Sequence, residues 1–233
     1  MKKIAVIGIC TGGTQLFNQN LMRKYLANPD KCPDVYTHQL PLHKINAAFS
    51  ALEKGDESIL FELIMQSIKG ISTFKPDYTV LPNNTAHLII NKLQQQSPVR
   101  VLSLISAVDL ALKQKISENV LILGSKWVMD SHIFSSATRN SSIKFIDLND
   151  EAKLNIHHAI DKAITNQKFE PNDVTYINDI IKIEKEKNNC DTVILACSDI
   201  AKLLEQQLSD IKTINTMAVY ADFVYDSLEN AHI

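Results

Sequence analysis

The chain has few of the residues that punctuate or staple a fold. Only 6 glycines and 7 prolines occur in 233 residues, which excludes collagen-like and linker-like chains. No stretch approaches the ~18–20 apolar residues of a membrane span. Met1-Lys2-Lys3 followed by Ile4–Gly8 begins as a signal peptide does, basic then apolar. The apolar run falls short of an h-region of ~7–15 residues, and Thr11-Gly12-Gly13-Thr14 cuts it off. Neither sign of charge dominates: 24 Lys+Arg stand against 26 Asp+Glu, a formal charge of -2. Without a basic footprint, no nucleic-acid partner is expected. The four cysteines, Cys10, Cys32, Cys190 and Cys197, form no CxxC pair and no metal-ligand spacing. The expectation is a cytoplasmic protein with reduced thiols, no metal and no membrane association.

What is present is an ordinary globular mixture, 45% hydrophobic and 21% charged, long enough for one large domain or two small ones. Short β-rich runs recur at Ile4–Gly8, Val35–Gln39, Tyr78–Leu81, Val99–Ile105, Val120–Gly124, Ile143–Asp147 and Thr192–Ala196. Between most of them the apolar residues follow a helical period. Leu60, Leu63, Ile64, Ser67, Ile68 and Ile71 form one stripe, and Ile200, Leu203, Leu204 and Leu208 another. Alternating strands and helices predict βαβ units and parallel sheets, an α/β fold.

An internal repeat runs through this pattern. Asp77-Tyr78-Thr79-Val80-Leu81-Pro82-Asn83-Asn84-Thr85 reads as an aspartate, a buried strand, a small polar turn and a helix start. Cys190-Asp191-Thr192-Val193-Ile194-Leu195-Ala196-Cys197-Ser198 reads the same way. Ligands of open parallel sheets sit beyond the carboxyl ends of strands. Both turns fall there, at helix starts whose backbone N–H groups favour an anion.

At these turns the chain resembles the cofactor-independent aspartate/glutamate racemase family. Pro82-Asn83-Asn84-Thr85-Ala86-His87 is similar to the family's Pro-Cys-Asn-Thr-Ala-His. Ile194-Leu195-Ala196-Cys197-Ser198-Asp199-Ile200 is similar to its Ile-Leu-Gly-Cys-Thr-Glu-Ile. Leu123-Gly124-Ser125-Lys126-Trp127-Val128-Met129-Asp130-Ser131 lies between them, like a Leu-Gly-Thr-x-x-Thr-Met-x-Ser segment. The resemblance implies two pseudo-symmetric flavodoxin-like lobes, 1–99 plus 212–233 and 100–211, with the active-site cleft between them. It implies a homodimer, a small acidic amino acid or dicarboxylate as substrate, and no cofactor, neither pyridoxal phosphate nor metal. Two cysteines then flank the substrate α-carbon, one thiolate taking a proton and the other thiol returning one. Cys197 is the catalytic thiol, with Asn84, Thr85, Ser198, Thr11 and Ser125 binding substrate and His87 and Asp199 behind them.

The chain departs from the family at the first thiol. Asn83 stands in the first cysteine's position, and a neutral amide has no transferable proton near neutral pH. Val128 replaces a threonine, and Gly8-Ile9-Cys10-Thr11-Gly12-Gly13-Thr14 departs from the usual first loop, Gly-Gly-Met-Gly/Ser-Pro. A helix N-terminus is expected to depress the Cys197 pKa. Simpler structural readings stand beside these. Cysteine packs as a small apolar residue, and Asn84, Thr85 and Ser198 are good cap or turn residues. Asp199 complements a helix start by charge, and His87 is a polar helix residue. Cys10 also lies in a strand-end loop, whereas Cys32 and Cys190 are read as inert. His157-His158 sits in a polar helix with neighbours on both faces and is not expected to bind metal, and the mixed-charge run Lys182–Lys187 reads as solvated helix. Three functions remain open: a weak or enantiomer-selective racemase, a single-cysteine isomerase or decarboxylase of a dicarboxylate, and a catalytically degenerate binder of an acidic metabolite.

Overall fold

The computed structural model describes residues 2–138, 142–204, 208 and 210–230. Met1 and the last three residues, which the expected lobe boundaries include, lie outside the described residues. The chain divides into two compact units, Met1–Leu104 with Tyr220–Ile233 and Ile105–Val219.

The first unit runs β1 (Lys3–Gly8), α1 (Thr11–Lys24), β2 (Asp34–Gln39), α2 (Leu42–Leu52), α3 (Ser58–Ile71), β3 (Tyr78–Val80) and α4 (Ile90–Gln96), and reaches the start of α5 (Leu104–Gln114). Its strands lie in the order β2-β1-β3 and pair in parallel. Ile4, Ala5, Val6 and Ile7 of β1 are all fully buried. A continuous apolar run suits a central strand covered on both faces. The α3 stripe also packs inward, with Leu60, Ile64, Ile68 and Ile71 buried.

The second unit continues with β4 (Asn119–Gly124), α6 (Lys126–Asp130), α7 (Ile133–Ala137), β5 (Lys144–Ile146), α8 (Asp150–Asn166), α9 (Pro171–Asn188), β6 (Thr192–Ala196), α10 (Ser198–Leu204) and β7 (Lys212–Asn215). The strands lie in the order β5-β4-β6-β7, again parallel. The last helix, α11 (Thr216–Glu229), follows β7, and its residues from Tyr220 onward belong to the first unit. Among the described residues no helix is long and apolar enough to cross a membrane.

The internal repeat is structural. Asp77 donates its N–H to the Lys3 carbonyl at 2.8 Å, and its carboxylate accepts the Lys3 N–H at 2.7 Å. Asp191 donates its N–H to the Asn119 carbonyl at 3.0 Å, and its carboxylate accepts from the N–H groups of Glu118 and Asn119. Each aspartate therefore pins the start of the central strand of its own sheet. Six residues further on stand Asn83 and Cys197, the matching positions of the two units.

Two elements differ from the sequence reading. Val99–Ile105 is not a strand: it contributes a single parallel bridge, Val101 to Thr79. Pro98 offers no ladder donor, and the Leu104 N–H is taken by His87 Nε2 at 3.0 Å as α5 begins. That bridge holds the place in the first sheet that β7 holds in the second. β7 itself was not foreseen, and Lys212–Asn215 pairs with β6 in the second unit, whereas the sequence reading gave 212–233 to the first lobe. The strand alternates lysine, threonine, isoleucine and asparagine over only four residues, too short to show a period.

Candidate active site

In the first unit, β1 and β3 each end in a loop that carries candidate groups. Gly8 closes β1. A Cβ there would stand 2.2 Å from Gln39 Oε1 and 3.1 Å from Thr14 Oγ1, so the Gln39 side chain lies directly over this glycine. Cys10 precedes α1 in extended backbone, is half-buried, and accepts the Thr14 N–H and Oγ1–H at 3.1 and 3.0 Å through its carbonyl. Thr11 opens the helix and is exposed.

Beyond β3, Asn83 is tied at both ends of its amide. Oδ1 accepts the Ala86 N–H at 2.9 Å, and Nδ2 donates to Cys10 Sγ at 3.2 Å. Asn83, rather than Asn84 or Thr85, thus supplies the cap of the 3₁₀ turn Thr85–Ile89. Asn84 and Thr85 are both buried, at 6% exposure. His87 is wholly buried, with Nδ1 2.9 Å from the Asn83 carbonyl and Nε2 accepting from Leu104 N–H. This pattern places the ring proton on Nδ1. Burial pulls its pKa down to about 4, against the two backbone hydrogen bonds that raise it. His87 is therefore a neutral strut of the Asn83 loop, not a polar face residue. Tyr220 stacks edge-on against it, at 5.8 Å between ring centres. Its hydroxyl donates to the Leu102 carbonyl at 2.7 Å and accepts from the Leu81 N–H at 3.2 Å. Sequence reasoning missed this brace because 139 residues separate Tyr220 from Leu81.

In the second unit, Ser125 follows the end of β4, and its carbonyl accepts the Val128 and Met129 N–H groups at 3.0 Å each. Val128 is wholly buried, so its side chain belongs to the core of its unit. Below this turn lies an ion-pair chain. Lys153, 8% exposed at its side chain, reaches Asp130 at 3.2 Å and Asp147 at 2.6 Å, and Asp130 also pairs with Lys126. His157 belongs to the inner face of α8 and packs on Trp127 with ring centres 4.9 Å apart. Among the described residues no group of three or more His, Cys, Asp or Glu side chains converges as metal ligands.

Cys197 follows the fully buried strand β6 and is itself half-buried. Burial pushes its thiol up to about 11, and the Asp199 carboxylate pushes the same way. The Ile200 and Asp199 backbone N–H groups and Lys202 oppose this and do not prevail. The expected depression of the Cys197 pKa is thus overturned: α10 spans only seven residues, and its turn cannot offset the loss of water around the sulfur. Ser198 Oγ lies 3.4 Å from Asp199 Oδ2, and Lys202 Nζ lies 3.3 Å from Asp199 Oδ1. Asp199 is thereby held by its own helix. Cys190 is buried, and its thiol is also pushed up to about 11 by desolvation, which makes it unreactive. A groove of about 390 Å³ lined by Tyr36, His38, Ser67 and Phe74 shares no residue with the strand-end loops.

The pattern of strand-end loops can be compared with known proteins. Among curated protein sequences none matches the chain. Among solved structures, an aspartate racemase homologue from Pyrococcus horikoshii OT3 aligns with a TM-score of 0.80 at 18% identity, covering 99% of this chain and 100% of that one. The aspartate racemase of Picrophilus torridus aligns with a TM-score of 0.79 at 19% identity, covering 98% and 95%. The glutamate racemase of Francisella tularensis, solved with D-glutamate, aligns at 0.60 and 15% identity, covering 99% and 82%. These likenesses establish the fold. The family model for Asp/Glu/Hydantoin racemase matches residues 7–224, from the end of β1 into α11, and so takes in Cys10, Asn83, Ser125 and Cys197 alike. With both strand-end loops inside that match, the chain belongs to the Asp/Glu/hydantoin racemase family.

Proposed function

We propose that the protein is a cofactor-independent isomerase acting on aspartate, glutamate or a similar small dicarboxylate. Cys197 moves the α-proton, and the activity is weak or selective for one enantiomer. The supporting observation is the placement of Cys197, at the end of a buried central strand with the Ile200 and Asp199 N–H groups donating towards its sulfur. A thiol at about 11 is mostly protonated at neutral pH, so Cys197 donates a proton readily and removes the α-proton only through its small thiolate fraction, which keeps the activity weak. The matching position in the other unit holds Asn83, whose amide has no basic site to offer and is already committed to Ala86 and Cys10. An enzyme with one competent face in this sense handles its two enantiomers unequally. Asn84, Thr85, Ser198, Thr11 and Ser125 hold the substrate carboxylates in this reading.

The experiment is incubation of L- and D-aspartate and L- and D-glutamate with the protein in deuterated water, following the α-hydrogen by NMR. The expected result is loss of the α-hydrogen signal from at least one enantiomer of one acid. The committed Asn83 amide also favours a second reading, an acidic-metabolite binder without turnover. Saturable binding by calorimetry without any exchange selects that reading.

A further inference from the structure

The first sheet ends on an open edge. In its order β2-β1-β3, β2 has a neighbour on one side only. Asp34 donates its N–H to the Lys2 carbonyl at 2.9 Å and Leu40 to the Gly8 carbonyl at 2.8 Å, so the even-numbered residues of β2 face β1 with their backbone. Backbone direction alternates along a strand, which turns the N–H and C=O groups of Val35, Thr37 and Gln39 outward. Among the described residues nothing bonds them, and Thr37, His38 and Gln39 are exposed. The other sheet edges are short or covered. β3 is bridged on its outer side by Val101. β5 has three residues and β7 four, and each opens with a lysine, Lys144 and Lys212, the charge that most often keeps a strand edge from pairing. β2 has six residues and no lysine. Pro33 and Pro41 bracket it and take nothing from the outward groups between them.

Beside this edge lies the groove of about 390 Å³, walled by α3. Tyr36 and Phe74 stack with 4.5 Å between ring centres, and Phe74 is half exposed. His38 Nδ1 stands 2.5 Å from Ser67 Oγ, which fixes the His38 ring. We infer that β2 pairs antiparallel with β2 of a second copy of the chain, about a two-fold axis at Thr37, joining two three-stranded sheets into one. The register follows from the outward groups. Thr37 meets Thr37, and Val35 meets Gln39 of the second copy, each pair exchanging two backbone hydrogen bonds. Tyr36 then lies against His38 of the second copy in the closer, non-hydrogen-bonded pair, over the groove and the exposed Phe74. The ends match in charge as well. Asp34 comes opposite Leu40 of the second copy, just before α2, whose first turn carries the exposed His43 and Lys44 and no acid. A carboxylate is favoured at such a helix start. Parallel pairing would instead set like ends together. The surface lies within the first unit and holds whatever reaction the protein catalyses.

The test is analytical ultracentrifugation of the full chain across concentration, with circular dichroism as the check on fold. The unaltered protein is expected to sediment as a dimer at about 10 μM. Thr37→Pro removes an outward donor and none that β1 uses, so the strand keeps its ladder. Thr37→Lys sets two like charges against each other at the axis. Each is expected to weaken dimerisation at least about 100-fold with the fold intact. Thr37→Cys reports the register without weakening the contact. It brings two thiols across the axis at the ~5.5 Å Cα spacing of a hydrogen-bonded pair, within disulfide reach. Mild oxidation is expected to link the two copies at position 37, as read by peptide mapping. A monomer at every concentration up to about 100 μM overturns the inference. So does a dimer that persists undiminished in Thr37→Lys, or one that forms no link at position 37. Those two readouts decide the question even where Thr37→Pro fails to fold.

Discussion

Cys197 sits between opposing influences, backbone N–H groups that favour its thiolate and burial that disfavours it, and burial prevails. The sign of the pH response follows. Below about 11 the thiol form dominates, so proton donation by Cys197 is nearly constant from neutral pH to about 10 and falls above that. Proton removal by Cys197 grows about tenfold per pH unit until that value is reached. The enantiomer that presents its α-hydrogen to Cys197 is therefore expected to exchange faster with each unit of alkalinity. Initial exchange rates between pH 7 and 10 check this. Cys197→Ala is expected to lower exchange at least about 100-fold, with a thermal midpoint within a few degrees of the unaltered protein. His87 gives a second residue-scale expectation. Its folded pKa, about 4, lies below the ordinary histidine value of 6.5, so the unfolded chain binds the proton more tightly. The stabilisation is complete above pH 6.5 and is lost as pH falls towards 4, by about 3 kcal/mol. Urea denaturation of His87→Gln at pH 7 and 4.5 should show that part of the acid sensitivity removed. Little of this was legible in the sequence. His87 could be placed near the loop by its motif, but its protonation depends on Leu104 and Tyr220, brought to it only by folding.

The strands and their closing turns set where the reactive groups stand. Gly124 ends β4 beside Ala196, the residue before Cys197, and a Cβ there would lie 3.0 Å from the Ala196 Cβ and 3.2 Å from its carbonyl oxygen. Gly124→Ala must push on backbone that leads into Cys197. It is expected to cost about 1–3 kcal/mol and to lower exchange more than a stability loss of that size would explain. Gly8→Ala meets the far end of Gln39 and Thr14 Oγ1, side-chain atoms rather than backbone, and is expected to be the milder change by thermal melting. The strands were legible where β-branched runs were long and buried, as in Ile4–Gly8 and Thr192–Ala196. They were not legible where chain context decided. Val99–Ile105 has strand composition, but His87 takes the Leu104 N–H and the chain turns into α5. The repeated aspartate was legible as a motif, though its task of pinning β1 and β4 was not, because its partners lie 72 to 74 residues away.

At the scale of the whole molecule, the C-terminal helix completes the first unit. Tyr220, Val224 and Leu228 are buried, and each is worth about 1.5–3 kcal/mol of burial. The Tyr220 hydroxyl further ties Leu81 to Leu102. Tyr220→Phe leaves both groups unsatisfied and is expected to cost about 1–3 kcal/mol by chemical denaturation. The family and the two parallel α/β units were legible because three motifs fall in register along the chain. The pairing of Asn83 with Cys10 was not, since a motif read along the chain does not reveal a neighbour 73 residues away. Asn83→Cys separates two histories of the site. If the amide merely disabled an older pair of thiols, racemisation of aspartate or glutamate rises at least about tenfold; if the protein has adapted to the residues it holds, it does not. The central claim, that this chain moves an α-proton through Cys197, is tested most directly by α-hydrogen exchange of aspartate and glutamate in deuterated water, before and after Cys197→Ala. The account expects exchange of at least one enantiomer by the unaltered protein and its loss by about 100-fold or more in the variant. Exchange that survives Cys197→Ala, or no exchange with any of the four amino acids, contradicts it.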